Sequence, residues 1–167
     1  MSTPNFRYAT EADLPEIVRI YNSTVASRLV TADLEPVSVE SRRAWFAAHT
    51  PDRHPLWVIE ADGQMLGWVS LSAFYGRPAY DATSEISVYL DEAARGRGLG
   101  RTAVEYATAA CPALGIKTLL GFIFSHNEPS LKLFEKLGYE RWAHLPNVAE
   151  LDGVERSLDI LGLRLSE

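Results

Sequence analysis

The stretch Arg95-Gly96-Arg97-Gly98-Leu99-Gly100 restricts this chain more than any other. Before it, Glu85 to Leu90 alternates. Ile86, Val88 and Leu90 share one side and Glu85, Ser87 and Tyr89 the other, which is the period of a strand. After it, Leu99, Ala103, Ala107 and Cys111 recur at helical spacing until Pro112 and Gly115 stop the pattern. A strand must therefore turn into a helix within a glycine-rich link. Glycines let successive backbone N–H groups converge with no Cβ in the way. The opening turn of the helix adds unpaired N–H donors and the positive end of its dipole. Such a cradle suits a phosphate-type anion, and arginines add charge-assisted hydrogen bonds. The same residues also suit an ordinary glycine-rich turn with solvated arginines. Two better-known cradles are excluded. The P-loop pattern is absent, and the dinucleotide fingerprint would need glycine or alanine where this chain has Arg101.

Charge sharpens the reading. Twenty-two acids against 16 Lys and Arg give a formal net charge of -6. An acidic surface repels phosphate backbones, so nucleic acid is not an expected partner. Arg95, Arg97 and Arg101 nonetheless cluster with no acid between them, which points to a small anionic ligand rather than a polymer. Cys111 is the single cysteine and sits on the apolar stripe of its helix, so a core thiol is expected and no disulfide. A reducing cytoplasm fits this usage. No membrane span and no secretory leader are expected.

The remaining elements follow from their periods. Phe6 to Tyr8 reads as a first strand. Thr10 with Asp13 resembles a capping box, and Leu14, Ile17, Val18, Tyr21 and Val25 predict a helix from about Glu11 to Ser27. Ser38 can cap a second helix carrying Ala44, Trp45 and Phe46. Leu56 to Ala61 and Gln64 to Ala73 read as strands joined by an Asp62-Gly63 hairpin turn. Phe74 to Asp81 reads as a loop. Thr118 to Phe124 predicts a strand, and Asn127 to Leu137 a short helix ended by Gly138. Two closing strands are expected near Glu140 to Leu145 and Arg156 to Leu165, with an irregular loop between them. Helices interspersed among strands indicate an α/β layered domain with a mixed sheet. No repeat or linker divides residues 1–167, so a single domain is expected.

Arg95-x-x-Gly98-x-Gly100, placed after an alternating strand and at a helix start, resembles the acetyl-CoA motif of the GNAT N-acetyltransferases. Asn127-Glu128-Pro129-Ser130-Leu131-Lys132-Leu133-Phe134 through Tyr139 resembles their second CoA segment, and agreement in element order runs from about Phe6 to Leu165. Arg77-Pro78-Ala79-Tyr80-Asp81, Glu85 to Leu90, Thr10 to Asp13 and Glu35-Pro36 are similar to the phosphinothricin and methionine sulfoximine acetyltransferase-like branch.

The resemblance implies a GNAT fold with a splayed pair of strands in mid-sheet and helices on both faces. It implies acetyl-CoA as cosubstrate and no metal. Ser87, Val88 and Tyr89 would line the pantetheine arm. Arg95, Gly96, Arg97, Gly98, Leu99 and Gly100 would hold the diphosphate. Asn127 and Ser130 would meet the cofactor near the reacting end, although Asn127 also fits a helix N-cap. Glu85 would be the general base that frees the amine from its ammonium form, although a strand carboxylate can also be structural. A backbone N–H such as that of Val88 would stabilise the oxyanion. Tyr75, Arg77 and Tyr80 would shape the substrate pocket, although Arg77 also fits a solvated loop. Homodimers are common in this branch, so a dimer is expected.

The chain departs from the family in three places. Phe134 stands where many members carry a tyrosine acid. Tyr75 replaces a lysine of the phosphinothricin enzymes. The stretch Asp152 to Ser157 lacks the family's tryptophan. His49, His54, His126 and His144 show no metal spacing and are assigned no role. The expected activity is acetyl transfer to the amine of a small amino acid or analogue. A peptide N-terminal acetyltransferase and a non-catalytic CoA-binding sensor stay open as alternatives.

Overall fold

The computed structural model describes residues 3–165. Seven strands form one sheet in the order β1-β2-β3-β4-β5-β7-β6. The strands are β1 (Asn5–Tyr8), β2 (Leu56–Ala61), β3 (Gln64–Ala73), β4 (Thr83–Leu90), β5 (Thr118–Phe124), β6 (Glu140–Leu151) and β7 (Val154–Arg164). The helices are α1 (Leu14–Val25), α2 (Arg43–Ala47), α3 (Leu99–Ala110) and α4 (Glu128–Lys136). All neighbouring strands are antiparallel except β4 and β5.

The alternation read in β4 sorts the two faces. Ile86, Val88 and Leu90 join Val69 and Leu71 of β3 in a core packed with α3 residues Ala103, Val104, Ala107 and Cys111. Small side chains on that stripe let α3 lie close to the sheet. Trp68 and Tyr89 point the other way and pack with Ile17, Ile20 and Tyr21 of α1 and Trp45 of α2. The expected mixed sheet with helices on both faces is therefore present.

The parallel pair β4–β5 is short. Its register covers Thr83, Ser84 and Glu85 against Thr118, Leu119 and Leu120, and pairing stops there. From Ile86 and Gly121 onward the strands diverge, which is the splay expected in mid-sheet.

Several boundaries differ from expectation. A 3-10 turn at Glu11–Asp13 precedes α1, so the α-helix begins at Leu14 with Pro15 in its first turn. Ser38 does cap the second helical segment, its Oγ accepting the Ser41 N–H (3.1 Å). That segment is only a 3-10 turn at Glu40–Arg42 followed by five residues of α2. The loop after β3 contains a 3-10 turn at Pro78–Tyr80.

The closing region is corrected. In place of an irregular loop, β6 and β7 form one long hairpin turned by Asp152-Gly153, with φ of 54° and 79°. What looked irregular is a bulge: pairing jumps from Leu145↔Leu158 to Ala149↔Arg156. Pro146 cannot donate to a ladder and is tolerated because β6 is an edge strand. Asn147 takes a left-handed φ of 53° and donates its N–H to Ser157 Oγ (3.0 Å). No helix among the described residues is long and apolar enough to cross a membrane.

Candidate active site

The splay opens a cleft of about 520 Å3 between β4, β5, α3 and α4. One end is the glycine link. Gly98 is the N-cap of α3 with φ 75°, and Gly96 has φ 78°. A Cβ at either would point into open space but would hold a left-handed backbone that side chains disfavour. Helix geometry leaves the N–H groups of Leu99, Gly100 and Arg101 without intrahelical acceptors. Thr102 is the first to find one, the Gly98 carbonyl at 3.2 Å. Arg95, Gly96, Gly98, Leu99 and Gly100 line this end. Unpaired amides, a helix dipole and one arginine give this end the chemistry that suits an anion. Arg97 is not part of the lining; its guanidinium turns back to the Ala93 carbonyl (3.4 Å). Arg101 pairs with Glu105 (3.5 Å).

The middle of the cleft is made by the splayed strands. Ser87, Val88, Tyr89 and Leu90 line one wall and Gly121, Phe122 and Ile123 the other. Asp91 donates its N–H to Leu66 across β3. Strand alternation therefore aims the N–H groups of Ile86, Val88 and Leu90 at the open side. Glycine at 121 lets the Phe134 ring pack close: a Cβ there would lie 3.3 Å from it, and the ring would have to give by a few tenths of an ångström. Phe134 is buried against Tyr139, edge to face at 4.9 Å, and lines the cleft without a polar atom.

Asn127 and Ser130 line the far end. The Asn127 side chain caps α4 by accepting the Ser130 N–H (3.4 Å) and donates its amide to the Leu29 carbonyl (3.1 Å). His126 Nε2 donates to the Arg28 carbonyl (2.9 Å), and the Arg28 guanidinium pairs with Asp152 (2.6 Å). Leu29 and Val30 also line the cleft, so these contacts fasten the α1–α2 segment over it as a roof. Nothing in the spacing or flanks of His126 marks it for that role.

Glu85 sits where β4 and β5 part. Its carboxyl has no hydrogen-bond partner among the described residues, and burial pushes its pKa above the ordinary 4.5. Across β3 it faces Ser72. Ser72 Oγ meets His49 Nε2 (3.1 Å), while His49 Nδ1 meets the Trp45 carbonyl (2.8 Å). A carbonyl only accepts, so Nδ1 carries the proton. Burial lowers the His49 pKa from 6.5, which keeps the ring neutral and Nε2 bare. Ser72 therefore donates to His49.

On the opposite face of the sheet from α3 lies a second cavity, of about 150 Å3. Its floor is a ladder of cross-strand pairs, Trp68↔Tyr89 and Ser70↔Ser87, with Ser72 of the next rung. Its walls are Tyr21, Arg42 and Trp45. It shares Ser87 and Tyr89 with the cleft, and Glu85, which is in neither lining, stands opposite the Ser72 of its floor. Tyr75, Arg77 and Tyr80 line neither space. Tyr75 is 77% exposed, and its ring stacks on Phe74 (4.5 Å), which meets Tyr80 edge-on (5.4 Å). Sequence reading missed Arg42, Ser70, Ser72 and His49. The one signal was parity: Ser70 and Ser72 break an otherwise apolar strand on the side that also carries Glu85 and Ser87.

A splayed parallel pair with a glycine cradle at the following helix is the frame into which known proteins can now be set. Residues 17–139 match the acetyltransferase (GNAT) family. The chain belongs to the GNAT family. Over 161 residues it is 52% identical to the Bacillus subtilis (strain 168) protein named "Putative phosphinothricin acetyltransferase YwnH", spanning 96% of this chain and 98% of that one. Over 163 residues it is 32% identical to the L-methionine sulfoximine/L-methionine sulfone acetyltransferase of Pseudomonas paraeruginosa, spanning 97% and 94%. The crystal structure of a GNAT phosphinothricin acetyltransferase from Sinorhizobium meliloti in complex with acetyl-CoA superposes with a TM-score of 0.92 at 28% identity, covering 99% of this chain and 90% of that one. This GNAT chain is accordingly an acetyl-CoA-dependent N-acetyltransferase.

Proposed function

We propose that this enzyme acetylates the amine of a small amino acid or amino-acid analogue, of the phosphinothricin or methionine sulfoximine kind, with Glu85 as general base. The substrate class rests on the relatives named above. The base rests on one observation. The β4–β5 pairing ends at Glu85, whose carboxyl has no partner among the described residues and whose pKa is raised by burial, opposite Ser72 of the second cavity and two residues before the Ser87 that lines both spaces. A raised pKa brings a carboxylate closer to working pH, which suits proton abstraction from an ammonium group.

The anion cradle and open strand edge of the cleft suit the diphosphate and pantetheine parts of acetyl-CoA. Arg95 and the amides around Gly96, Gly98, Leu99 and Gly100 hold the diphosphate. Ser87, Val88 and Tyr89 line the pantetheine arm. Bound acetyl-CoA supplies the activated acyl group. Glu85 takes a proton from the acceptor's ammonium, directly or through water. The freed nitrogen forms the C–N bond as the C–S bond breaks, and the Val88 N–H steadies charge on the thioester oxygen. Phe134 has no proton to give, so the departing sulfur draws its proton from water or from the amine itself. The cytoplasm and a homodimer are the proposed location and assembly.

Thiol release from acetyl-CoA, measured with amino acids, phosphinothricin and methionine sulfoximine, tests this reading. Glu85→Gln is expected to lower kcat by about 100-fold or more while acetyl-CoA binds as before. Full activity in Glu85→Gln would remove the base assignment.

A further inference from the structure

The second cavity has features that the reaction just described does not use. Ser70 and Ser87 stand opposite each other on its floor, and neither hydroxyl has a hydrogen-bond partner among the described residues. Ser70 is only 1% exposed. A polar group so enclosed is costly unless something entering the cavity bonds to it. One wall is the Arg42 guanidinium, lying over the Tyr21 ring at 4.7 Å and 5.9 Å from the Trp45 ring. Asp33 accepts from one of its nitrogens (3.0 Å), and Tyr21 OH also donates to Asp33. Arg42 makes no other hydrogen bond among the described residues, so most of its five N–H donors are unspent. Asp33 and the two rings hold the guanidinium in place, which suits a planar, two-pronged grip on an oxo acid.

Size narrows the occupant. A cavity of about 150 Å3 accommodates a group about as large as benzene, so it takes the end of a side chain and not a peptide. Position narrows it further. The cavity shares Ser87 and Tyr89 with the cleft, and its Ser72 is the cross-strand neighbour of Glu85. An acceptor with its amine at Glu85 can extend its other end between Arg42 and the two serines. Among the described residues lining this cavity, Arg42 is the one cation; Arg77 is exposed and lies outside it.

Building on the acetyltransferase reading, we propose that Arg42, together with the Ser70 and Ser87 hydroxyls, binds an anionic oxo-acid group at the end of the acceptor away from the reacting amine. The group is a carboxylate or a phosphinate. The enzyme then selects acidic over isosteric neutral side chains. Arg42 thereby takes the role that the loop arginine was expected to fill.

Matched acceptors test this: glutamate against glutamine, and phosphinothricin against methionine sulfone. Wild type is expected to favour the acidic member of each pair by about tenfold in kcat/KM, the worth of one charge-assisted contact. Arg42→Gln should lower kcat/KM for the acidic member about tenfold more than for the neutral one, chiefly through KM. Ser70→Ala, which leaves the Arg42–Asp33 pair intact, should act in the same direction by about threefold, and it serves if Arg42→Gln fails to fold. Equal use of both members by wild type, equal losses in Arg42→Gln, or selectivity that follows Arg77→Gln instead would overturn the proposal. Calorimetric binding of the same pairs in the absence of acetyl-CoA separates the two readings. Acid-selective binding that Arg42→Gln erases, with no thiol release, would sink the transferase assignment and leave the anion site standing. Thiol release without acid-selective binding would do the reverse.

Discussion

The two faces of β4 build their sites from different materials. Toward α3, the cleft is made of backbone: the glycine link, the first amides of a helix and the open edge left by the splay. Toward α1 and α2, the cavity is made of side chains from four separate elements and the turn before α2: Tyr21, Arg42, Trp45, the β3 serines and Ser87 with Tyr89. A backbone site recognises what all its ligands share and tolerates little local change. A side-chain site can be rewritten one residue at a time without disturbing the fold. The invariant partner of the reaction belongs in the first, and acceptor choice belongs in the second.

Substitutions that strike one face and spare the other would sharpen or break this division. The largest effect is expected for Gly98→Val. A β-branched residue at φ 75° is strained, so the backbone of the cradle must change to relieve it. Acetyl-CoA affinity should fall by about 100-fold in calorimetry, with acceptor KM little altered. Comparable losses for both ligands would mean that the two faces are not independent.

On the other face, His49→Ala removes the acceptor of the Ser72 hydroxyl and frees it to turn toward Glu85. We expect kcat to fall by about three- to tenfold with acetyl-CoA affinity unchanged. His49 also has a pH signature. Its folded pKa lies below the ordinary 6.5 because burial disfavours the cation. Its contribution to stability is therefore full above pH 6.5 and is lost as pH falls from there through the folded value. Urea titrations in that window should show a steeper acid loss in wild type than in His49→Ala.

Glu85 has the opposite sign. A carboxyl whose folded pKa is raised stabilises the fold only below its unfolded value, and that contribution is lost as pH rises through the folded one. Glu85→Gln should then raise the Tm at neutral pH by about 2 °C, and the gain should fade toward pH 4. A lower Tm at neutral pH would mean that the carboxylate is stabilised by its surroundings. The smallest effect is expected for Cys111→Ala, which cuts into the core shared by α3 and the sheet. The thiol donates to the Ala107 carbonyl (3.2 Å), and burial pushes its pKa up to about 12. The cost should be about 1 kcal/mol in stability with no kinetic change and no alkylation of the folded wild type.

The same division explains what could be read from the sequence. The strands Leu56–Ala61 and Gln64–Ala73, and Asp62-Gly63 between them, were legible to the residue because period and turn chemistry are local. The cradle was legible for the same reason. The second hairpin was signalled by an identical Asp152-Gly153 turn, yet Pro146-Asn147 interrupts the alternation with a bulge that only a partner strand can accommodate. The side-chain cavity was not legible. Arg42 and His49 acquire neighbours only when α2 packs on β3, and neither their spacing nor their flanks marks them. Conversely, Arg77 and Tyr75 attracted notice by resemblance, yet the chain leaves them on an exposed loop outside both spaces.

The splay has a consequence for the enzyme at rest. Beyond Glu85 no backbone pairing joins β4 to β5 among the described residues, and amides of β4 face the cleft at the centre of the sheet. Those amides should exchange with deuterium quickly although they belong to a central strand flanked by slow neighbours. A ligand lying in the gap acts as a missing rung: it closes the exchange and raises thermal stability with its concentration. The enzyme is therefore most cohesive when charged with its donor, and a cell short of acetyl groups would hold it in a looser and more perishable form.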